Sequence, residues 1–410
     1  MTTQPQLHDQ SVPIQRRLVW VHTPQRSRLR RALFQIHLWV GVVLAIYAVA
    51  IGVTGSILVF ANELEMRLEP HLRIVQPEVQ ATSLQKVWET VRATHPNDRV
   101  LSLVTADAPN HSASFVLAPK QKKLDRSLID SVFFNPHTGE ILGEQTTIEG
   151  PLGWARNLHY FLFGSETGLL VNGAMGLGLL LLCLSGIVIW WPGILRWKRS
   201  LVVTHRTNWK RFTWDLHSAV GFWSCAALLV VSFTGVYFAF PKAVTMLTLV
   251  GTRSDMKQPQ RPMAPIAASH HTANAPMLTL DQIIAIGHDA LPKNGPLSYV
   301  LLPGAPGAVF SLGQYPPGSA PYSHLTSVDI DPYSGQIVRH FDTAQYPLGM
   351  RVVQYYHAVH FGSFGGEGAF GFIVKILWVI LGLVPAVLGV TGLLMHWNRF
   401  LKRRWMSMQR

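Results

Sequence analysis

Four long apolar runs set the organisation of this chain: residues 32–60, 168–192, 215–240 and 370–397. Each holds enough consecutive apolar residues to cross a bilayer as a helix, and none has an acidic residue through its centre. Asp215 and Lys375 lie near segment ends, where snorkelling or a bundle partner accommodates a charge. The pattern changes between the runs. In 61–150, "SLQKVWETVRATHP" (83–96) has helical apolar spacing, strand-like alternation follows at 99–105 and 113–118, and a hairpin turns at Asn135-Pro136-His137-Thr138-Gly139. In 241–346 the same order returns: "TLDQIIAIGHDALP" (279–292), strands at 297–302 and 308–313, and a turn at Asp331-Pro332-Tyr333-Ser334-Gly335. Residues 151–167 and 347–369 read as interfacial segments, 193–214 as a loop, 398–410 as a tail, and the Pro/Ala-rich 251–276 as a linker. The predicted architecture is an α-helical membrane protein of four transmembrane helices with two exported α/β domains.

Charge orients this arrangement. The net charge of +13 is concentrated in the short segments: Lys and Arg number six in 1–31, six in 193–214 and five in 398–410, with Asp9 the single acid there. The long segments 61–167 and 241–369 together hold 17 Lys/Arg against 20 Asp/Glu. That is the positive-inside pattern, so the basic arm 1–31, the loop and the tail are expected in the cytoplasm and both α/β domains outside. The same distribution argues against nucleic acid as the partner of the positive charge. The first apolar run starts at residue 32, is too long for a signal h-region and lacks a small-residue cleavage site, so no cleavable leader is expected. The two cysteines, Cys183 and Cys225, fall inside spans, and no Cys-x-x-Cys-His is present to attach a haem covalently.

The halves of the chain align with each other. Shifting the first span by 180 residues sets Arg31 on Arg211, His37 on His217, Gly41 on Gly221, Thr54-Gly55 on Thr234-Gly235 and Phe60 on Phe240. Outside the spans, "SVFFNPHTGEIL" (131–142) matches "SVDIDPYSGQIV" (327–338), "PLG" recurs at 151–153 and 347–349, and "HYFLFGSETG" (159–168) matches "HAVHFGSFGG" (357–366). The second and fourth spans carry Ser185-Gly186 and Thr391-Gly392 at corresponding places. An internally duplicated bundle with a pseudo-twofold axis is expected.

Six of the eighteen histidines sit at membrane positions. His37, His217 and His396 fall at the cytoplasmic ends of spans; His159, His357 and His360 fall just before the second and fourth spans, at the outer interface. Ionisable residues in spans are rare and usually functional. Neutral imidazole is a common axial ligand of haem iron, and facing helices of a bundle can hold a haem between them. Two axial ligands must approach from opposite faces, which favours repeat-related residues. His37 with His217 forms one candidate pair; His159 with His357, or with His360 one turn away, forms the other. His396 has Trp190 as its counterpart and is the less symmetric choice. Two b-type haems per chain are therefore expected. The competing readings are interhelical hydrogen bonding without a cofactor, and a mononuclear metal site, which the scarcity of nearby carboxylates disfavours. Arg31, Arg211, Arg156 and Arg351 are placed where haem propionates could emerge, although positive-inside bias accounts for the first two equally well. Tryptophans 190, 191, 197, 209, 214, 397 and 405 read as an interfacial belt, and His270-His271 as a surface pair in the linker.

The helix–hairpin pattern with its Asp/Asn-Pro-x-Ser/Thr-Gly-x-Ile/Val turn resembles the PepSY module. Four spans around two such modules, opening with "IHLWVGV" and "LHSAVGF" and closing with Thr-Gly, resemble the PepSY-associated transmembrane family of bacterial inner-membrane proteins over about residues 28–405. That family includes di-haem ferrisiderophore reductases and iron-regulated proteins of unassigned role. The resemblance implies an oxidoreductase with periplasmic domains, and a ferric siderophore as electron acceptor. A cleft between the two exported modules, near His159 and His357, is the expected acceptor site, with Trp154, Arg156, Tyr160, Arg351, Tyr355 and Tyr356 as walls. The same residues could instead anchor interfacial helices in the headgroup layer. No nucleotide or flavin motif is present, so the electron donor is separate: a membrane quinol or a cytoplasmic reductase. The alternatives are a non-enzymatic PepSY module that inhibits or senses peptidases, and a transporter. The transporter is disfavoured, because no midplane carboxylate or interrupted span occurs.

Overall fold

The computed structural model describes residues 21–78, 82–120, 124–204, 208–254, 276–293, 295–305, 308–316 and 324–401. The first part of the basic arm, most of the linker with His270-His271, and the end of the tail lie outside the described residues. The chain divides into two compact units. One comprises Met1–Val53, Ala174–Phe233 and Ile380–Arg410; the other comprises Thr54–Gly173 and Thr234–Val379.

Among the described residues, four helices are long and apolar enough to cross a membrane: α1 (Arg28–Leu58), α5 (Ser165–Trp190), α6 (Trp209–Ala239) and α10 (Gly368–His396). Shorter elements separate them: α2 (Ala61–Leu68), α3 (Leu84–Thr94), α4 (Gly153–Phe161), α7 (Pro241–Gly251), α8 (Leu280–Ala290) and α9 (Leu348–Phe361). Within the first unit, α1 and α10 approach closely because small residues meet there. A Cβ on Gly52 would lie 2.6 Å from the Gly382 carbonyl oxygen, and one on Gly389 would lie 2.8 Å from that of Ala45. Asp215, 4% exposed, accepts an ion pair from Arg211 one turn earlier, at 2.9 Å. Such pairing offsets part of the desolvation of a buried carboxylate.

The second unit contains an eight-stranded antiparallel sheet in the order β4-β3-β2-β1-β5-β6-β7-β8. Its strands are β1 (Asp98–Val104), β2 (Ala113–Pro119), β3 (Asp130–Phe134), β4 (Ile141–Thr146), β5 (Leu297–Leu301), β6 (Phe310–Gln314), β7 (Thr326–Ile330) and β8 (Ile337–Asp342). Two separate α/β modules with a cleft between them are expected from the sequence; the strands instead join at β1 and β5, where Ser102, Leu103 and Val104 pair with Leu301, Val300 and Tyr299. Joining removes two unpaired strand edges at once. One core runs under the seam. Trp88 and Val91 of α3 and Leu280 and Ile283 of α8 pack on Phe115, Phe134, Phe310 and Ile330, all buried. Trp88 meets Phe310 edge-on at 6.3 Å. The two helix starts cap each other: Asp281 accepts from Ser83 Oγ (2.6 Å) and the Leu84 N–H (2.8 Å), while Gln85 Oε1 accepts from the Leu280 N–H (2.8 Å). The β3–β4 and β7–β8 turns need a left-handed residue, and Gly139 (φ 78°) and Gly335 (φ 71°) supply it. Asn135 and Asp331 complete the turns by accepting from backbone N–H groups two residues on, both at 2.9 Å.

Two short helices hang between sheet and spans in sequence: α4 after β4, and α9 after β8. The first carries His159 and the second carries His357 and His360.

Candidate functional site

In the first unit, His37 of α1 and His217 of α6 stand with ring centroids 6.3 Å apart and planes at 88°. Each ring is seated on a neighbouring span. His37 Nδ1 lies 3.0 Å from Ser185 Oγ of α5, and His217 Nδ1 lies 2.9 Å from Thr391 Oγ1 of α10. Both hydroxyls already donate to the carbonyl four residues back: Ser185 to Leu181 (2.6 Å) and Thr391 to Val387 (2.7 Å). With its proton committed there, each hydroxyl oxygen is an acceptor, so Nδ1–H donates to it and Nε2 keeps its lone pair. This tautomer follows from the hydrogen-bond network. It is the form in which imidazole binds a metal through Nε2. The glycine after each hydroxyl residue admits the ring edge. A Cβ on Gly186 would lie 3.2 Å from His37 Cε1, and one on Gly392 would lie 3.6 Å from His217 Cε1.

The second unit repeats the device. His159 of α4 and His360 of α9 have centroids 6.3 Å apart, with planes at 48°. His159 Nδ1 lies 3.1 Å from Thr54 Oγ1 of α1, and His360 Nδ1 lies 3.1 Å from Thr234 Oγ1 of α6. Gly55 and Gly235 follow those threonines. A Cβ on Gly55 would lie only 2.7 Å from His159 Cε1, and one on Gly235 would lie 3.2 Å from His360 Cε1. All four seating hydroxyl residues are buried: Thr54, Ser185, Thr234 and Thr391. Along the chain the Ser/Thr-Gly dipeptides mark only the similarity of the halves; their pairing with histidine is set by the fold. Thr54 follows His37, and Thr234 follows His217, by the same seventeen residues, so the recurrence of the seats is visible in the sequence but the histidine that each one holds is not.

The remaining sequence-predicted residues fall in varied surroundings. His357 packs among Tyr237, Phe238 and Phe361, with its ring 4.8 Å from that of Phe238, and burial pushes its pKa below the ordinary histidine value. His396 touches Trp39 (5.9 Å) and Phe400 (5.2 Å), and its buried Nδ1 has no hydrogen-bond partner among the described residues. Arg156 is held by Glu65, which also binds Arg73 at 2.9 Å; Arg73 in turn reaches Gln145 at 3.0 Å and lies over the Phe133 ring at 4.3 Å. This partly buried ion-pair cluster ties α4, three residues before His159, to α2 and β4. Tyr356 is buried and shares a 2.6 Å hydrogen bond with Thr248 of α7. Tyr160 meets His159 edge-on at 5.8 Å. Trp154, Arg351 and Tyr355 are exposed.

Among the described residues, no three of His, Cys, Asp and Glu gather closely enough to hold a metal ion unaided. The sites offer imidazoles in twos. The four apolar helices define a multi-pass membrane protein. The chain belongs to the family described as the PepSY-associated TM region, which matches residues 34–399. No curated protein matches it.

Proposed function

We infer that this family member is a transmembrane electron-transfer protein, an oxidoreductase with two b-type haems that reduces an exported-side acceptor of the ferric siderophore class. The observation that carries the reading is the repeated pair of imidazoles, 6.3 Å between centroids in each unit. Two imidazoles that bind opposite faces of one metal ion through Nε2, at about 2.0–2.1 Å each, have their centroids roughly 6.3 Å apart. Where side chains provide two ligands and no third, a macrocycle is the fitting source of the other four. A haem at each pair would supply one-electron redox chemistry. His37 and His217 would hold one group, and His159 and His360 the other. Ser185, Thr391, Thr54 and Thr234 fix ring rotation and, at least in the first pair, the tautomer. Gly186, Gly392, Gly55 and Gly235 leave room for the ring edges.

Positive-inside bias supports cytoplasmic termini in a bacterial inner membrane, with the sheet on the periplasmic side. Exposed Arg351, Trp154 and Tyr355 suit an anionic, bulky iron chelate, whereas Arg156 and Tyr356 are engaged by Glu65 and Thr248 and act by shaping α4 and α9. The electron donor is a separate quinol or cytoplasmic reductase. The test is reduction of a ferric siderophore by the full chain in vesicles, read with a ferrous-iron chelator. His37→Ala and His159→Ala are each expected to abolish it; undiminished reduction in either variant overturns the assignment.

A further inference from the structure

A second feature of the first unit is unused by the histidine pairs. At the arginine-bearing end of α1, a cavity of about 620 Å³ is lined by Arg28, Arg30, Arg31 and Arg399 with Phe34 and Gln35. Among the described residues, no carboxylate lines it. Arg30 reaches the Ile189 carbonyl at 2.5 Å, yet its buried Nε has no hydrogen-bond partner among the described residues. The Arg399 guanidinium lies over the Phe34 ring at 5.2 Å. Four like charges around one space repel one another, and an anion held there relieves the repulsion. Arginine forks match phosphate oxygens in geometry as well as in charge.

Most of the cavity lining faces away from His37. At 100° per residue, Arg28, Arg31 and Gln35 lie about 180–240° around α1 from His37, on the opposite face, while Arg30 starts on the His37 side and turns to the Ile189 carbonyl of α5. That opposite face continues along the helix as exposed apolar surface: Trp39 is 57% exposed, Val43 75% and Ile46 79%. A cationic cup at a helix end, continuous with an apolar exposed stripe on the same spanning helix, is complementary to a molecule with a phosphate head and acyl chains. We propose that this is a specific site for an anionic phospholipid, with a headgroup bearing two phosphates in the arginine cup and its chains along Trp39, Val43 and Ile46. The occupant is a lipid rather than a soluble phosphate compound because the stripe gives affinity only to a ligand with chains. Basic pockets at span ends are suited to such headgroups.

The test is native mass spectrometry of the full chain released from detergent, titrated separately with tetraoleoyl cardiolipin, dioleoylphosphatidylglycerol, dioleoylphosphatidylethanolamine and sodium pyrophosphate. Cardiolipin is expected to bind most tightly, phosphatidylglycerol less, and phosphatidylethanolamine least. Replacing Arg28, Arg31 and Arg399 together by Gln should weaken cardiolipin binding on the order of a hundredfold, at about fivefold per charge. Replacing the same three by Lys should keep most of it, which separates loss of charge from loss of fold. Val43→Gln with Ile46→Gln should weaken the lipid while leaving pyrophosphate unchanged. Equal retention of cardiolipin and phosphatidylethanolamine, wild-type retention in the Gln variant, or pyrophosphate binding as tight as cardiolipin would each overturn the proposal.

Discussion

The two histidine pairs are made of the same parts with the parts assigned oppositely. In the first unit, α1 and α6 supply the histidines, and α5 and α10 supply the Ser185-Gly186 and Thr391-Gly392 seats. In the second, α1 and α6 supply the seats, Thr54-Gly55 and Thr234-Gly235, and the histidines come from the short helices α4 and α9. Each of α1 and α6 thus gives a histidine to one pair and a seat to the other. The sites also differ in tightness. The glycine clearance is 2.7 Å and 3.2 Å in the second pair against 3.2 Å and 3.6 Å in the first, and the ring planes stand at 48° against 88°. The comparison teaches that one spanning helix takes part in both histidine pairs with three residues, a histidine and a Thr-Gly seat, and that the seats, not the histidines alone, decide which rings meet.

The largest break in this comparison should come from Gly55→Ala. Its new Cβ would sit 2.7 Å from His159 Cε1, closer than real Cβ contacts allow, so the ring must leave its seat. We expect the second pair to lose its haem and the first to keep it, read as a difference spectrum against wild type. Gly392→Ala, at 3.6 Å, is ordinary van der Waals contact and should leave both haems in place. Equal damage from the two substitutions would show that the seat geometry does not control binding.

A smaller effect should follow from removing a hydroxyl without adding bulk. Ser185→Ala deprives His37 Nδ1–H of its acceptor, and a buried donor left unpaired costs about 1–3 kcal/mol. Because the hydroxyl raises ligand basicity, its loss should raise the midpoint potential of the first-pair haem by tens of millivolts. The second-pair haem should not move. A redox titration followed optically separates the two; a shift of both haems, or of neither, would count against independent seating.

Much of this was legible from residue order, and the gaps have physical causes. Hydropathy marks the spans, and turn chemistry at Asn135–Gly139 and Asp331–Gly335 marks the hairpins, because both are local signals. The joining of β1 to β5 is not local: Leu103 and Val300 are far apart in sequence, and alternation says which face a strand buries but not which edge it meets. The partner of His159 is ambiguous for a related reason. The shared Phe-Gly-Ser aligns His159 with His357, but His357 and His360 are three apart on one helix face, so periodicity cannot choose between them. Thr234-Gly235 chooses His360, and His357 is left packed against Phe238. Arg156 looks like a substrate residue in sequence because its acid partner, Glu65, is remote along the chain.

The central claim is most directly tested by a pyridine haemochrome assay on the full chain purified from haem-replete cells, with protein quantified by amino-acid analysis. The account predicts about two b-type haems per chain in the wild type and about one in each of His217→Ala and His360→Ala. A colourless wild-type preparation, or variants with unchanged haem content, would contradict it.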